Sequence, residues 1–286
     1  MTRYLKSINI KFFATKVRMK ALVQRHLSIL QSYKTPYPHR LVFIAGLPKS
    51  GTTWLENLVK TVPGIRRLVC YDLENDLFEH RLNPAVLEKL PSRGNFFTKT
   101  HVEASPDSVA ALREHKVPTV IMVRDLRDQC VSRFHHVLND PSHRHHYFYL
   151  NSSREESFSH CLDIVLDEYL LWINNWVSVL ESSDGLFLLV KYEDLYSDPS
   201  RVFRSVLLHF DIDLSSDDVD HIVNKVYCQS RDKRDLKRRI KNHENTLRRG
   251  GSGDWKNYFS KDDILKFKIK TNKLLIELGY ESTVDW

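Results

Sequence analysis

Residues 41–55 read LVFIAGLPKSGTTWL, and this stretch decides the fold. The apolar run from Leu41 to Ala45 is typical of a buried strand in a parallel sheet. A turn follows from Gly46 to Ser50, and apolar residues then recur at helical spacing from Thr52 to Thr61. The stretch therefore predicts a strand, a glycine-containing loop and a helix, in that order.

The same alternation of strands and helices continues along the chain. Further strands are predicted at 95–100, 118–123 and 186–190, and a long helix at 155–181. Strands that alternate with helices predict an α/β fold in which a mostly parallel central sheet is flanked by helices. We place one domain at 39–286, after a separate segment at 1–38. Ligands of such sheets bind beyond the carboxyl ends of the strands.

Composition narrows the class of protein. Hydrophobic residues make up 42% and charged residues 28% of the 286 residues, as in ordinary globular proteins. The net charge of +7 suits an anionic ligand, a nucleic acid or an anionic membrane surface, and does not choose among them. Four widely spaced cysteines without a CxxC pattern predict thiols in a reducing compartment, hence a cytoplasmic location, and no zinc site.

The segment 1–38 is basic, and the first acidic residue of the chain is Glu56. Apolar residues are interleaved with its lysines and arginines. Three interpretations stay open: an amphipathic helix in peripheral contact with a membrane, a targeting peptide, or a helix packed on the domain.

The loop 46–53 has the features of a phosphate site. Backbone N–H groups and the positive dipole end of a helix bind phosphate, and Lys49 adds a charge. A nucleoside-triphosphatase loop would read GxxxxGK[ST], but Thr52 stands where that lysine belongs. The strand at 118–123 is followed by Arg124 instead of a magnesium-binding acid. We therefore expect a phosphate site that uses side chains and no metal, which argues against a kinase or GTPase.

The segment PKSGTTWL, residues 48–55, resembles the 5′-phosphosulfate loop of the cytosolic-type sulfotransferases that use 3′-phosphoadenosine 5′-phosphosulfate (PAPS). Three other segments resemble family motifs in the family's order: Lys99-Thr100-His101, residues 123–132, and residues 248–257. The resemblance covers about residues 40–260. It implies the sulfotransferase version of the P-loop nucleoside triphosphate hydrolase-like fold. It weakens at 226–230, where family contacts to adenine are expected.

The resemblance implies a binding site with two basic pockets, because PAPS carries a phosphate at each end. The residues expected at the 5′-phosphosulfate are Lys49, Ser50, Gly51, Thr52 and Thr53. Those expected at the 3′-phosphate are Arg124, Ser132, Arg248, Arg249 and Gly250. Trp54 and Tyr192 are expected beside the adenine. Arg127 and Asp128 are interpreted as surface or capping residues.

His101 is the expected general base, since an imidazole with a pKa of about 6.5 can accept a proton at neutral pH. Lys49 and Lys99 are expected to stabilise charge on the leaving group. The predicted reaction moves the sulfuryl group in line to an acceptor hydroxyl or amine and releases adenosine 3′,5′-bisphosphate (PAP). It needs no metal and no covalent enzyme intermediate.

Two loops, at about 71–95 and 139–153, are expected to form the acceptor pocket. The second is rich in histidine, and together with the end of the preceding helix it supplies His135, His136, His143, His145 and His146. A metal site and a pocket or lid loop are both compatible with this cluster, and the lid fits better because the spacing lacks a ligand pattern.

Three other functions compete with sulfuryl transfer: a nucleotide-binding protein without catalysis, a basic protein that binds membranes or nucleic acid, and a metal-dependent kinase. Lys49, Lys99 and His101 speak against the first, and the missing magnesium-binding acid speaks against the last. The expected partner is a small-molecule acceptor and not a nucleic acid, and a homodimer is left open.

Overall fold

The computed structural model describes residues 37–68, 82, 84–181, 184–240 and 252–286, with the backbone alone at Val86 and at 231–240. The predictions made for the basic segment up to residue 36 lie outside these ranges. The same holds for Arg248, Arg249 and Gly250 and for residues 71–81 of the first acceptor loop.

The centre of the molecule is a sheet of five parallel strands in the order β2-β3-β1-β4-β5. The strands are β1 Leu41–Gly46, β2 Ile65–Arg67, β3 Asn95–Thr100, β4 Thr119–Val123 and β5 Phe187–Lys191. The prediction of an α/β fold with a parallel sheet is confirmed. The edge strand β2 was not predicted, because three residues are too few to show a period.

Helices cover both faces of this sheet, which an all-parallel sheet requires. In the first half of the chain they are α1 Thr52–Thr61, α2 Pro84–Glu88, α3 Pro106–Glu114, α4 Leu126–Asn139, α5 His146–Asn151 and α6 Arg154–Ile164. In the second half they are α7 Leu170–Leu180, α8 Tyr192–Ser197, α9 Pro199–His209, α10 Ser216–Ile240, α11 Lys261–Thr271 and α12 Leu274–Glu277. Across the described part of the chain, every helix is too short or too polar to cross a membrane.

The central strand β1 contributes alternate side chains to two separate cores. Val42 and Ile44 pack on one face, where α1, α9 and α10 supply the apolar partners. Phe43 and Ala45 pack on the other face, against α3, α4, α6 and α7. Both faces of β1 are therefore buried, and only its carboxyl end, at Gly46, leads out of the sheet into the loop.

The histidine-rich region differs from its prediction in two places. The long helix predicted at 155–181 is α6 and α7 joined by a π-helical turn, Val165–Tyr169. The predicted loop 139–153 contains the short helix α5. Single π-helical turns within α-helices often lie at functional sites, and this one places Tyr169 against α4.

Candidate active site

The loop between β1 and α1 has a tightly turned backbone. The Ser50 hydroxyl donates to the carbonyl oxygen of Leu47 at 2.8 Å. Lys49 and Gly51 both adopt left-handed conformations, with φ of 72° and 95°. Gly51 is the N-cap of α1, so the N–H groups of Thr52 and Thr53 have no acceptor within the helix and can bind an anion.

Two glycines allow this loop to lie against its neighbours. A Cβ on Gly46 would collide with the Thr52 side chain and lie 2.9 Å from the carbonyl oxygen of Met122. A Cβ on Gly51 would lie 2.6 Å from the ring of Tyr192. The loop therefore packs directly on the ends of β4 and β5, and larger residues at either position would push it away.

Arg124 and Lys49 bring two cations to the same place. Arg124 follows β4, and its Nη1 donates to the carbonyl oxygen of Lys49 at 3.4 Å. Its guanidinium also lies 4.4 Å from the centre of the Tyr192 ring. Burial, and then the charge of Arg124, lower the pKa of Lys49. The two positive charges therefore repel each other, and a bound anion would offset this repulsion.

Aromatic rings form a group beside the loop. The half-buried Trp54 meets Tyr192 edge-on at 6.1 Å between ring centres and Tyr196 at 6.4 Å. Tyr196 was not predicted as a site residue, although its position four residues after Tyr192 places both rings on one face of α8. Such rings suit a flat, partly apolar ligand such as a nucleobase.

His101 lies directly after β3 and contacts the loop between β1 and α1. Its Nδ1 is hydrogen-bonded to the carbonyl oxygen of Gly46. A carbonyl can only accept, so Nδ1 carries the hydrogen, and Nε2 is the unprotonated nitrogen of the neutral ring. Lys99 lies two residues earlier, half-buried, with its Cα paired to that of Ile44 in β1.

Two tryptophans that were not predicted as site residues hold the chain after His101. The indole nitrogens of Trp172 and Trp176 both donate to the carbonyl oxygen of Val102, at 2.8 and 3.1 Å. Tryptophans at i and i+4 of a helix indicate a buried face, but the sequence does not show which carbonyl they reach.

Asp128 links α4 to the segment 248–257, called the late glycine motif below, through two residues of it that the structure describes. Its carboxylate accepts hydrogen bonds from the backbone nitrogens of Gly253, at 2.6 Å, and Trp255, at 3.0 Å. Ser132 lies one turn later on α4, on the same face and half-buried. Asp128 is itself only 2% exposed, and burial is the main reason that its pKa is raised.

The interpretation of Arg127 and Asp128 as surface or capping residues is wrong. Arg127 is 2% exposed, and its guanidinium packs against the rings of both Trp255 and Trp286, at 4.3 and 4.4 Å from the ring centres. It forms ion pairs with Asp125 at 2.7 Å and with Glu281 at 2.5 Å. The capping role belongs to Asp125, whose side chain accepts from the Arg127 nitrogen at the start of α4.

The histidines of the predicted cluster have different hydrogen-bond partners. His135 is hydrogen-bonded to the Tyr258 hydroxyl at 2.8 Å, and the buried His146 to the carbonyl oxygen of Val137 at 2.9 Å. Among the residues described, no three His, Cys, Asp or Glu side chains are arranged so that they could hold a metal ion.

The predicted residues thus fall into three groups. Those that lie in or beside the loop are Lys49, Ser50, Gly51, Thr52, Thr53, Trp54, His101, Arg124 and Tyr192. Lys99 lies on the adjacent strand, and Ser132 lies on α4 near the anchored late motif. Arg248, Arg249 and Gly250 belong to the part of the chain that the structure does not describe.

Known proteins resemble this chain over most of its length. A sulfotransferase 1C2 of Rattus norvegicus is 25% identical over 260 residues, 82% of this chain and 81% of the relative. An amine sulfotransferase of Oryctolagus cuniculus is 24% identical, over 79% and 77% of the two chains. A flavonol 3-sulfotransferase of Flaveria bidentis is 26% identical, over 82% and 80%.

Solved structures share the fold. The mouse sulfotransferase SULT7A1 in complex with PAP superposes with a TM-score of 0.62 at 19% identity, over 84% of this chain and 86% of the other. A retinol dehydratase in complex with retinol and PAP gives a TM-score of 0.55 at 19% identity, over 84% and 82%. The family described as sulfotransferase domain matches residues 39–279. That match covers most of the chain, so the protein belongs to the sulfotransferase domain family.

Proposed function

We propose that the protein transfers the sulfuryl group of PAPS in line to a hydroxyl or amine of a small-molecule acceptor, with His101 as the general base. Membership of the sulfotransferase family supports sulfuryl transfer as the reaction. The hydrogen bond between His101 and Gly46 carries the assignment of the base, because it joins the imidazole to the loop that would hold the phosphosulfate. The same bond orients Nε2 as the proton-accepting atom.

PAPS would bind across the loop and α4. Lys49 and the N–H groups at the start of α1 suit the 5′-phosphosulfate, and Trp54 and Tyr192 suit the adenine. The 3′-phosphate would lie near Arg124 and Ser132, and we propose that Arg248, Arg249 and Gly250 complete this pocket. The anchoring of Gly253 by Asp128 supports this, because it brings the end of the late motif to the helix that carries Ser132.

In the proposed reaction, the acceptor oxygen or nitrogen forms a bond to sulfur as its proton passes to Nε2 of His101. The bond from sulfur to the phosphate oxygen breaks, and PAP leaves with the electron pair. Lys49 and Lys99 would stabilise the negative charge that develops on the leaving oxygen. Burial, and then the charge of Arg124, lower the pKa of Lys49, and added negative charge beside these two cations would be favourable.

The test measures transfer of labelled sulfate from PAPS to a panel of phenols and amines, alongside PAP binding by calorimetry. We expect His101→Gln to lower kcat by at least about 100-fold and to retain PAP binding. Lys49→Ala and Arg124→Ala should weaken PAP binding. The matched control is His221→Gln, an exposed histidine on α10, which should behave as the unmodified protein. Full turnover by His101→Gln would refute the base assignment.

We further propose a cytoplasmic location. Cys130, Cys161 and Cys228 are free thiols, and the first two lie together in the core, where the Cys161 thiol donates to the Cys130 carbonyl oxygen at 3.6 Å. Neighbouring buried thiols of this kind suit a reducing compartment.

A further inference from the structure

One face of α4 carries three polar side chains whose hydrogen bonding is incomplete. Gln129, Arg133 and His136 are spaced i, i+4 and i+7, so they form a row along the helix. Each has a buried atom without a partner in the described structure: Oε1 of Gln129, Nε of Arg133 and Nδ1 of His136. Buried polar atoms are normally hydrogen-bonded, and three exceptions in one row point to a polar ligand.

This row adjoins the site of sulfuryl transfer. The Gln129 amide donates to the carbonyl oxygen of Pro48 at 2.8 Å, directly before Lys49. After burial, the charge of Lys49 is the next cause that lowers the pKa of His136. His101 contacts Gly46 at the start of the same loop. A molecule whose reacting group lies at His101 would therefore meet this row of α4.

Arg133 is a buried cation without an acidic partner. It is 8% exposed, and its Nη1 donates to the Tyr169 hydroxyl of the π-helical turn at 2.8 Å. No carboxylate of the described residues pairs with it. Arg127, about two turns earlier on α4, is also buried, but its charge is paired with the carboxylates of Asp125 and Glu281. A buried guanidinium without a carboxylate is costly unless a ligand supplies the negative charge.

Three histidines lie close together beside Arg133, and neutral rings can donate or accept hydrogen bonds there. Ring centres of His136 and His143 are 6.0 Å apart, and those of His143 and His145 are 5.6 Å apart. Burial, then neighbouring positive charges that include Arg133, lower the pKa of all three. Asp140 lies 3.9 Å from His136 and also accepts hydrogen bonds from Ser142.

We propose that Gln129, Arg133 and His136 form the acceptor-binding surface, and that the acceptor carries a carboxylate or similar oxyanion besides the group that is sulfated. The oxyanion accepts from Arg133 and His136, and the Gln129 oxygen receives a hydroxyl or amide donor of the same molecule. This inference rests on the proposed function, because it places the reacting group at His101.

The test compares phenols that differ only in charge. The acceptors are 4-hydroxybenzoate, 4-hydroxyphenylacetate and 3-(4-hydroxyphenyl)propanoate, each with its neutral amide, and tyramine as the cationic member. With saturating PAPS, we expect kcat/KM for the best carboxylate to exceed that of its amide at least about tenfold, which corresponds to about 1.4 kcal/mol. Tyramine should be the poorest acceptor.

Substitutions on α4 test which residues cause the preference for a carboxylate over its amide. Arg133→Met should abolish the preference for the carboxylate, measured as the ratio of kcat/KM for carboxylate and amide, and Arg133→Lys should retain part of that preference. His136→Phe, at a half-buried position, serves if Arg133→Met does not fold. Arg201→Met is the control, because this exposed arginine lies on α9, away from α4, and should not change the preference.

Three results would overturn the inference: equal use of carboxylates and amides, a preference for tyramine, or a carboxylate preference that survives both Arg133→Met and His136→Phe. If no acceptor reacts, the carboxylates are titrated into the PAP-bound protein, and absence of binding there also overturns it. Failure of PAP to bind would instead refute the proposed function, so the two failures are distinguishable.

Discussion

The Asp128 carboxylate and the Gly253 backbone nitrogen are joined by a hydrogen bond of 2.6 Å across 125 residues of sequence. A second hydrogen bond, from the Trp255 nitrogen to the other carboxylate oxygen, fixes the direction of the backbone. These bonds fasten the end of the late glycine motif to α4, where Ser132 lies one turn further on. They hold together two parts of the chain that the proposed 3′-phosphate pocket requires.

Asp128→Ala should weaken PAP binding about tenfold, because it removes the two hydrogen bonds that hold Gly253 and Trp255 to α4. Calorimetric titration with PAP measures the change. Asp220→Ala, at an exposed position on α10, is the control and should bind PAP normally. An unchanged dissociation constant for Asp128→Ala, with the protein folded, would contradict the positioning role.

Arg127→Leu should lower the free energy of unfolding by about 3–5 kcal/mol, because it leaves the buried Asp125 carboxylate without its cation. The change also removes the contacts of the guanidinium with the rings of Trp255 and Trp286. Urea denaturation followed by tryptophan fluorescence measures it. Arg201→Leu removes an exposed ion pair with Asp198 and should cost less than about 1 kcal/mol. Similar losses in the two variants would show that burial of Arg127 is not what matters.

Gly51→Ala should impair both stability and nucleotide binding. A methyl group at Gly51 meets a left-handed backbone, with φ of 95°, and would displace the ring of Tyr192. Gly185→Ala is the control that separates backbone strain from the collision with Tyr192. Gly185 also has a left-handed backbone, with φ of 70°, but no atom lies within 4 Å of the added Cβ. We expect each variant to lose about 1 kcal/mol of stability from backbone strain.

Binding of PAP then distinguishes these two glycines. Gly51→Ala should bind PAP at least about tenfold more weakly, whereas Gly185→Ala should bind it normally. If both variants bind PAP equally well, the contact between Gly51 and Tyr192 has no role in the nucleotide site.

Because of His143, the protein should be less stable in mild acid than at neutral pH. Burial first, and then positive neighbours, lower its pKa to about 4, whereas an unfolded histidine has a pKa of about 6.5. As the pH falls from about 6.5 towards 4, the unfolded chain binds a proton that the folded protein does not, so folding becomes less favourable. Urea midpoints at pH 7.5 and pH 5 should therefore differ less in His143→Asn than in the unmodified protein. An identical difference would mean that His143 titrates normally.

Local patterns were enough to predict most of the fold. The strand, loop and helix at 41–61 follow from one apolar run, two glycines and helical spacing, and the structure has these elements at Leu41–Gly46 and Thr52–Thr61. The predictions were wrong where the pattern was short or ambiguous. Strand β2 has three residues, and the π-helical turn at Val165–Tyr169 leaves the apolar spacing of the predicted helix almost unchanged.

The parallel α/β fold and the family could be predicted from the sequence alone, because they depend on neighbouring residues and on motifs of fixed spacing. Tertiary structure decided which nitrogen of His101 holds the hydrogen, through a carbonyl 55 residues away. Tertiary contacts also bury Arg127 against two carboxylates and two indoles, whereas Arg133 is buried without a carboxylate among the described residues. Burial and charge pairing depend on segments that meet only in the folded chain, so two arginines on one helix can look alike in sequence and differ in their chemistry.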